Sequence, residues 1–438
     1  MIKSILKKIF WKLPIGSKLK NKISEKRFER KLEKEKKYDE KNEVKIRDDS
    51  ELCKAYSEYV LNSYKLKSNE YVPYKNLKQS GDVKIAAYYL TQFHPNKQND
   101  DWWGKGTTEW NNVNQAVPQY IGHYQPRKPG ELGYYDLRIK EVFERQIQLA
   151  QNYGIDIFCF YYYWFDGERL LEKPLNMFLE NKDLDMPFFY CWANENWTKR
   201  FSGTNSDVLM GITQSVENYK KFIHSILKDF EDSRYYKIDN RPVLSIYRPS
   251  NIPDVEQVLK YWNSQINLKF GCDGYFIAVQ EKDTDTDWIK VGFDAETEFQ
   301  PKQIEKYSKD ITSSLRTIRK DFSGTIYDYK EMVDNKRYND YNQNKEKVYR
   351  AVMPMWDNSA RRNFRGTIFH GSTPELYKTW LKDVIKETCE NKNLDDKVVF
   401  INAWNEWGEG TYLEPDEFYG YAYLQATSDA KREENVCL

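Results

Sequence analysis

The sequence predicts an α/β chain folded as a (β/α)8 TIM barrel, preceded by a basic helical extension. Three observations predict it. Short β-rich runs alternate with helical stretches through most of the chain, and that alternation builds right-handed βαβ units around a parallel sheet. Eight such units in a chain of 438 residues leave room for a barrel with inserted loops. The first strand runs out into Gln92-Phe93-His94-Pro95, not into the Gly-rich turn that a doubly wound dinucleotide-binding sheet places there.

The elements follow in order. The first strand is expected at 85–93 and the second at 155–164, after a helix at 137–153. The third is expected at 188–192, and the fourth at 243–247 after a helix around 216–230. The fifth, at 275–280, follows a helix near 255–263. The sixth and seventh fall at 295–299 and 348–355, and the eighth at 398–403 follows a helix at 374–389. This divides the chain into a charged N-terminal extension and linker (1–80), a catalytic barrel (81–430) and a short C-terminal tail (431–438).

The extension has its own chemistry. Up to Ser24 it carries seven lysines and no acids, and Ile2, Ile5, Leu6, Ile9 and Leu13 share one helical face. That pattern suits an interfacial helix on an anionic membrane, or a basic helix packed on the main domain. Residues 25–49 are a mixed-charge stretch expected as an exposed helix. No apolar run reaches the length of a membrane span, and lysines interrupt the first residues too often for a secretion signal.

Composition narrows the function. The charge balance is 68 basic against 67 acidic residues, which excludes a whole-domain nucleic-acid binder. Six scattered cysteines and four histidines show neither a disulfide framework nor metal-ligand spacing. A reducing cytoplasm is the simplest compartment, and no cofactor or metal is expected. Aromatic residues make up 16%, and flat rings serve either a core or the apolar faces of sugars.

In a barrel, chemistry sits at the C-terminal ends of strands. The eighth strand ends Trp404-Asn405-Glu406-Trp407-Gly408-Glu409-Gly410-Thr411. Two carboxylates three residues apart, beside Trp404 and Trp407 and followed by glycine, suit glycoside cleavage, which needs one acid and one base or nucleophile. Apolar walls raise the pKa of a carboxyl. The third strand ends Trp192-Ala193-Asn194-Glu195-Asn196-Trp197, whose polar groups either grip hydroxyls or cap the strand. After the first strand come His94, Trp102, Trp103, Glu109 and Trp110, whose rings are either a sugar platform or rim packing. Trp356, Asp357, Asn358 and Arg361 close the seventh strand, and Asp357 with Arg361 is read as site chemistry or as a structural ion pair. Tyr162 and Trp164 are the candidates at the end of the second strand, where at most half the residues can face a cleft. Asp283, Asp285 and Asp287 form a D-x-D run that better suits helix N-capping than a cation site.

Five ordered motifs are together similar to the WbsX-type proteins, relatives of glycoside hydrolase family 99. They are Phe93-His94-Pro95 with the following Trp102-Trp103-Gly104-Lys105-Gly106 loop, Phe160-Tyr161-Tyr162-Tyr163-Trp164-Phe165, the third-strand run, Trp356-Asp357-Asn358, and the eighth-strand run. The resemblance spans about residues 83–425. It implies a (β/α)8 barrel and a role in bacterial surface polysaccharide metabolism, such as O-antigen or capsule. It also implies a retaining, endo-acting enzyme on α-manno- or α-rhamno-type glycans, acting through an anhydro-sugar. Carried over, Glu406 assists the sugar 2-hydroxyl as base and Glu409 protonates the leaving oxygen. Gly408 departs from the hydrolases, where a His is expected.

A glycosidase or transglycosidase is the leading expectation, on an oligo- or polysaccharide, free or lipid-linked. A glycosyltransferase with a nucleotide- or lipid-phosphate-sugar donor is the second, and a non-catalytic glycan-binding protein the third. A cytoplasmic enzyme peripheral to the inner membrane face would use residues 1–24 as its contact.

Overall fold

The computed structural model describes residues 50–62, 67–77, 81–198, 208–282, 286–341 and 346–434. The barrel strands are β1 (Lys84–Tyr89), β2 (Ile157–Phe165), β3 (Phe188–Trp192), β4 (Arg241–Ile246), β5 (Tyr275–Val279), β6 (Ala295–Thr297), β7 (Val348–Tyr349), β8 (Ala351–Val352) and β9 (Val398–Ile401). They pair in the order β7-β6-β5-β4-β3-β2-β1-β9-β8, parallel throughout. The path is a nearly closed barrel, as the alternation predicts.

The expected seventh strand is divided. Only Arg350 separates β7 from β8, and the run changes partner there: Val348 pairs Glu296, whereas Ala351 pairs Phe400. Phe400 N–H donates to the Arg350 carbonyl at 2.9 Å across the seam. The buried Glu298 carboxylate holds that seam, meeting Arg350 Nε at 2.7 Å and the Ala351 N–H at 2.8 Å.

Alternating side chains fill two layers. Inside the barrel, the Tyr88 ring lies 5.1 Å from Phe299, 5.6 Å from Phe400 and 5.8 Å from Tyr161. Outside, Tyr89 lies 4.9 Å from Phe158 and 5.3 Å from Phe143 of the helix Lys140–Asn152. Trp192 stacks at 3.8 Å on Phe222. Such ring pairs add about 0.5–1.5 kcal/mol each beyond their buried area.

The helices follow from sequence signals. Val216–Ile226 starts at Ser215, whose side chain accepts the Asn218 N–H, and buries Tyr219, Phe222, Ile223 and Ile226 on one stripe. Thr373 caps Pro374–Glu390, with Pro374 in the first turn. Val255–Phe270 runs past its expected end to Gly271, which takes the left-handed conformation that closes a helix.

Part of the expected linker belongs to the barrel. Ser68 N–H donates to the Phe418 carbonyl at 2.9 Å, and Val72 exchanges backbone bonds with Tyr419 and Tyr421. The helix Ser50–Asn62 is fastened by Tyr59, whose hydroxyl donates to the Gln125 carbonyl at 3.1 Å. At the other end, Ala422–Glu434 takes in the first residues of the expected tail, and Lys431 is buried against Asp156 and the Gly154 carbonyl. Cys389 is disulfide-bonded, which the scattered cysteines did not announce, so the cysteines do not argue for a reducing compartment. The basic stretch 1–24 and the mixed-charge stretch lie outside the described residues. Among the described residues no helix is long and apolar enough to cross a membrane.

Candidate active site

Asn405 aims the carboxylates that follow β9. Its Oδ1 accepts the Leu90 N–H at 2.8 Å and its Nδ2 donates to the Leu90 carbonyl at 3.0 Å. The side chain thereby continues the pairing of β1 with β9 past the end of both strands. The chain then turns through Trp407–Glu409 to Gly410, whose φ of 60° is left-handed. A Cβ on Gly410 would lie 2.7 Å from the Asp357 carbonyl, so the turn needs glycine for conformation and for space. Trp407 fixes the turn from behind by stacking on Tyr412 at 3.7 Å and donating to Glu414 at 2.7 Å. Burial pushes the Glu414 carboxyl up to about 7, against the opposing donors Trp407, Tyr135 and Gln146.

One guanidinium gathers three carboxylates. Arg361 meets Glu109 at 2.7 Å through Nε, Glu406 at 2.8 Å through Nη2 and Glu409 at 3.2 Å through Nη1. Glu109 and Glu406 are buried, and the Glu409 side chain is 31% exposed. Burial opposes the charge of Arg361, but the three acids outweigh it and hold the group firmly protonated. Glu406 behaves differently: burial, with Glu409 and Glu109 nearby, pushes its carboxyl up to about 8 although Arg361 pulls the other way.

Gly408 makes this cluster sterically feasible. A Cβ there would fall 1.9 Å from Glu109 Oε1 and 2.7 Å from Arg361 Nε. The Glu109–Arg361 pair occupies the space into which any side chain at 408 would project. The glycine that departs from the hydrolase pattern is thus matched to its own neighbours.

The cluster forms one wall of a cavity of about 330 Å³ at the C-terminal mouth of the barrel. Of the sequence-predicted residues, it brings together Glu406, Glu409, Arg361, Glu109, Trp102 and Trp103, with Trp197, Glu195, Asn196, Trp356 and Asn358. A second recess of about 510 Å³ shares Trp103 and Arg361 with it.

The remaining predicted residues do not face the cavity, each for a physical reason. Tyr162, Trp164 and Trp192 point outward from β2 and β3 onto the helix Val216–Ile226, where Phe222 meets all three. Trp404 packs in the core beside Phe158, 5.5 Å away. Trp110 sits behind the site against Phe93, Tyr135 and Trp407. Asn405 and Trp407 shape the turn, as described. Asn194 ties strand ends, accepting the Arg248 N–H at 2.7 Å and donating to its carbonyl at 2.8 Å. His94 is buried with Nδ1 2.9 Å from the Thr91 carbonyl, and burial lowers its pKa to about 4. Asp357 does not pair with Arg361. It is buried against His123 at 2.7 Å and Gln125 at 2.5 Å, and it accepts the Ser359 N–H at 3.0 Å. Burial alone would raise its pKa, but His123 and Arg127 hold it well below the usual range. Its role is to hold the turn that presents Arg361. Asp287 caps the helix Trp288–Val291 by accepting the Lys290 N–H, as its place in the D-x-D run suggests; Asp283 and Asp285 lie outside the described residues.

The sequence reading missed Tyr161 and Tyr163, the inward partners of the chosen Tyr162 and Trp164, because both faces of β2 are aromatic. It also missed Tyr247 and Arg248 after β4, and Lys302 after β6. The rule that strand ends carry chemistry reaches the first two; nothing in its sequence context marks Lys302.

The sequence model of the family described as Glycosyltransferase WbsX matches residues 85–427. The protein WxcX of Xanthomonas campestris pv. campestris, itself described as uncharacterized, is 39% identical over 349 residues, 79% of this chain and 49% of WxcX. The chain therefore spans about half the length of that relative. Among solved structures, the GH99 endo-alpha-mannosidase from Bacteroides thetaiotaomicron matches with a TM-score of 0.50 at 16% identity, over 81% of this chain and 98% of that one. A structure described as a glycoside hydrolase-like protein matches with a TM-score of 0.52 at 15% identity, over 83% and 97%. At such identities the likeness shows a common barrel fold.

Proposed function

From the premise that this chain belongs to the WbsX family, carbohydrate-active enzymes with a glycoside-hydrolase-like barrel, we propose that it is a retaining, endo-acting glycosidase or transglycosidase with Glu406 and Glu409 as its catalytic pair. The carrying observation is that one partly buried arginine holds both glutamates at the mouth of the barrel, facing an aromatic-lined cavity. The adjoining recess across Trp103 and Arg361 supports an endo mode, since a glycan chain can continue past the cleavage point.

In this reading Glu406 takes the proton of the sugar 2-hydroxyl as that oxygen attacks C1, while Glu409 gives its proton to the departing glycosidic oxygen. The 1,2-anhydro sugar formed is then opened by water or by an acceptor hydroxyl, with both protons returning along the same routes. A base for an alcohol gains from a carboxylate whose proton affinity is raised, and burial supplies that at Glu406. Trp102, Trp103, Trp197 and Trp356 supply flat faces for sugar C–H groups. No step calls for a cofactor or metal.

The proposed substrate is a bacterial surface polysaccharide of α-manno or α-rhamno type, free or lipid-linked. The proposed location is the cytoplasm, at the inner membrane face through residues 1–24. The family's description favours a second reading, transfer from a nucleotide- or lipid-phosphate-sugar donor. Incubating the purified protein with host surface polysaccharide, with and without nucleotide sugars, separates the two by mass spectrometry. Shortened glycans without donor are expected; growth by one sugar only in the presence of donor would overturn the glycosidase assignment.

A further inference from the structure

The cavity that holds the glutamate cluster is also lined by a cation that, among the described residues, makes no ion pair with an acid. Lys302 follows β6, and its Nζ is sheltered from solvent with no hydrogen-bond partner among the described residues. It rests on two cavity walls, 3.7 Å from the centre of the Tyr247 ring and 4.4 Å from that of Phe299. An ammonium has three protons to donate, and ring faces satisfy only part of that demand. The charged groups around it are engaged elsewhere. Arg248 pairs with Glu195 at 3.3 Å and approaches Glu281 at 3.8 Å. Glu409 pairs with Arg361, and Glu305 with Lys282. Burial and the neighbouring Arg248 lower the Lys302 amine to about 7, against the pull of Glu195, Glu409 and Glu281.

A buried amine left unpaired is costly unless something else completes its shell. Inside a substrate cavity, that something can be the substrate. We propose that Lys302, with Arg248 beside it, is an oxyanion subsite, so that the glycan bound in this cavity carries an acidic group: the carboxylate of a uronic acid or a phosphoryl group. The proposal rests on the reading that the cavity binds glycan, and adds that this glycan is anionic. Because the empty site releases its proton readily, acid binding takes a proton up. Affinity is then level below about 7 and falls as pH rises above it.

Tryptophan fluorescence and calorimetry on the full chain test this, with sodium glucuronate, inorganic pyrophosphate and neutral methyl α-mannoside as probes. At pH 6.5 an acidic probe is expected to bind at least about tenfold tighter than the mannoside. Lys302→Met should abolish that preference and Lys302→Arg should keep it, both melting no lower than the parent. Tighter glucuronate assigns the carboxylate; tighter pyrophosphate assigns the phosphoryl group. Acidic probes no tighter than mannoside, or a preference that survives Lys302→Met, would overturn the subsite while mannoside binding leaves the glycan cavity standing. Failure of every probe to bind would overturn both.

Discussion

The ends of β3 and β9 carry the same dipeptide, Asn194-Glu195 and Asn405-Glu406, and the structure uses its first residue identically in both. Each asparagine clamps both backbone groups of one residue on a neighbouring strand end, Arg248 in one case and Leu90 in the other. Each clamp then directs the following glutamate to the same cavity. What differs is the arginine that receives the glutamate. Arg248 lies 22% exposed and meets Glu195 at 3.3 Å, whereas Arg361 meets Glu406 at 2.8 Å beside two further carboxylates. The shared clamp is scaffold, and the environment beyond it makes one glutamate a candidate catalyst and the other a candidate contact.

The largest expected difference is kinetic. Glu406→Gln and Glu409→Gln should each lower kcat on the cleaved glycan by about 10²–10⁴-fold, the range for a positioned proton donor or acceptor. Glu195→Gln should leave kcat within about tenfold and act mainly on KM. Equal losses at Glu195 and Glu406 would erase the distinction between the two strand ends.

The clamps should behave alike in stability. Asn194→Ala and Asn405→Ala each remove the two clamp hydrogen bonds and strand an N–H and a carbonyl, for about 2–3 kcal/mol apiece in urea unfolding, and Asn405→Ala also loses a longer bond to the Tyr135 hydroxyl at 3.4 Å. Only Asn405→Ala should also impair turnover, because only its glutamate does chemistry. A much smaller stability loss at one site would mean the two asparagines are not equivalent supports.

How much of this the sequence discloses depends on whether the signal is periodic. The barrel is legible because strand–helix alternation and capping residues such as Ser215 and Thr373 repeat through the chain. The Glu406–Glu409 pair and its partner Arg361 stand out as charged groups among tryptophans at strand ends. The orientation of β2 is not legible, since Tyr161, Tyr162, Tyr163 and Trp164 offer no polar–apolar contrast between faces. Nor is the difference between Trp103, which lines the cavity, and Trp110, which packs behind it, because tertiary packing alone decides it. Lys302 is ordinary in sequence; only its rings and the lack of an acid partner among the described residues single it out.

The smallest effect assigns the roles within the catalytic pair. With Glu406 raised to about 8 by burial, its action as base requires kcat/KM to climb about tenfold per pH unit toward that value and level off above it. Stability should move the opposite way. The folded chain holds this proton more tightly than the unfolded chain, so the group's contribution is complete at acid pH and is lost as pH rises through about 8. Glu406→Gln removes both trends, and Glu195→Gln should remove neither. Activity rising while the melting temperature falls over one window would tie both to a single carboxyl. Activity falling above about 8 would instead make Glu406 the proton donor and exchange its role with Glu409, leaving the cavity, the arginine and the pair as they stand.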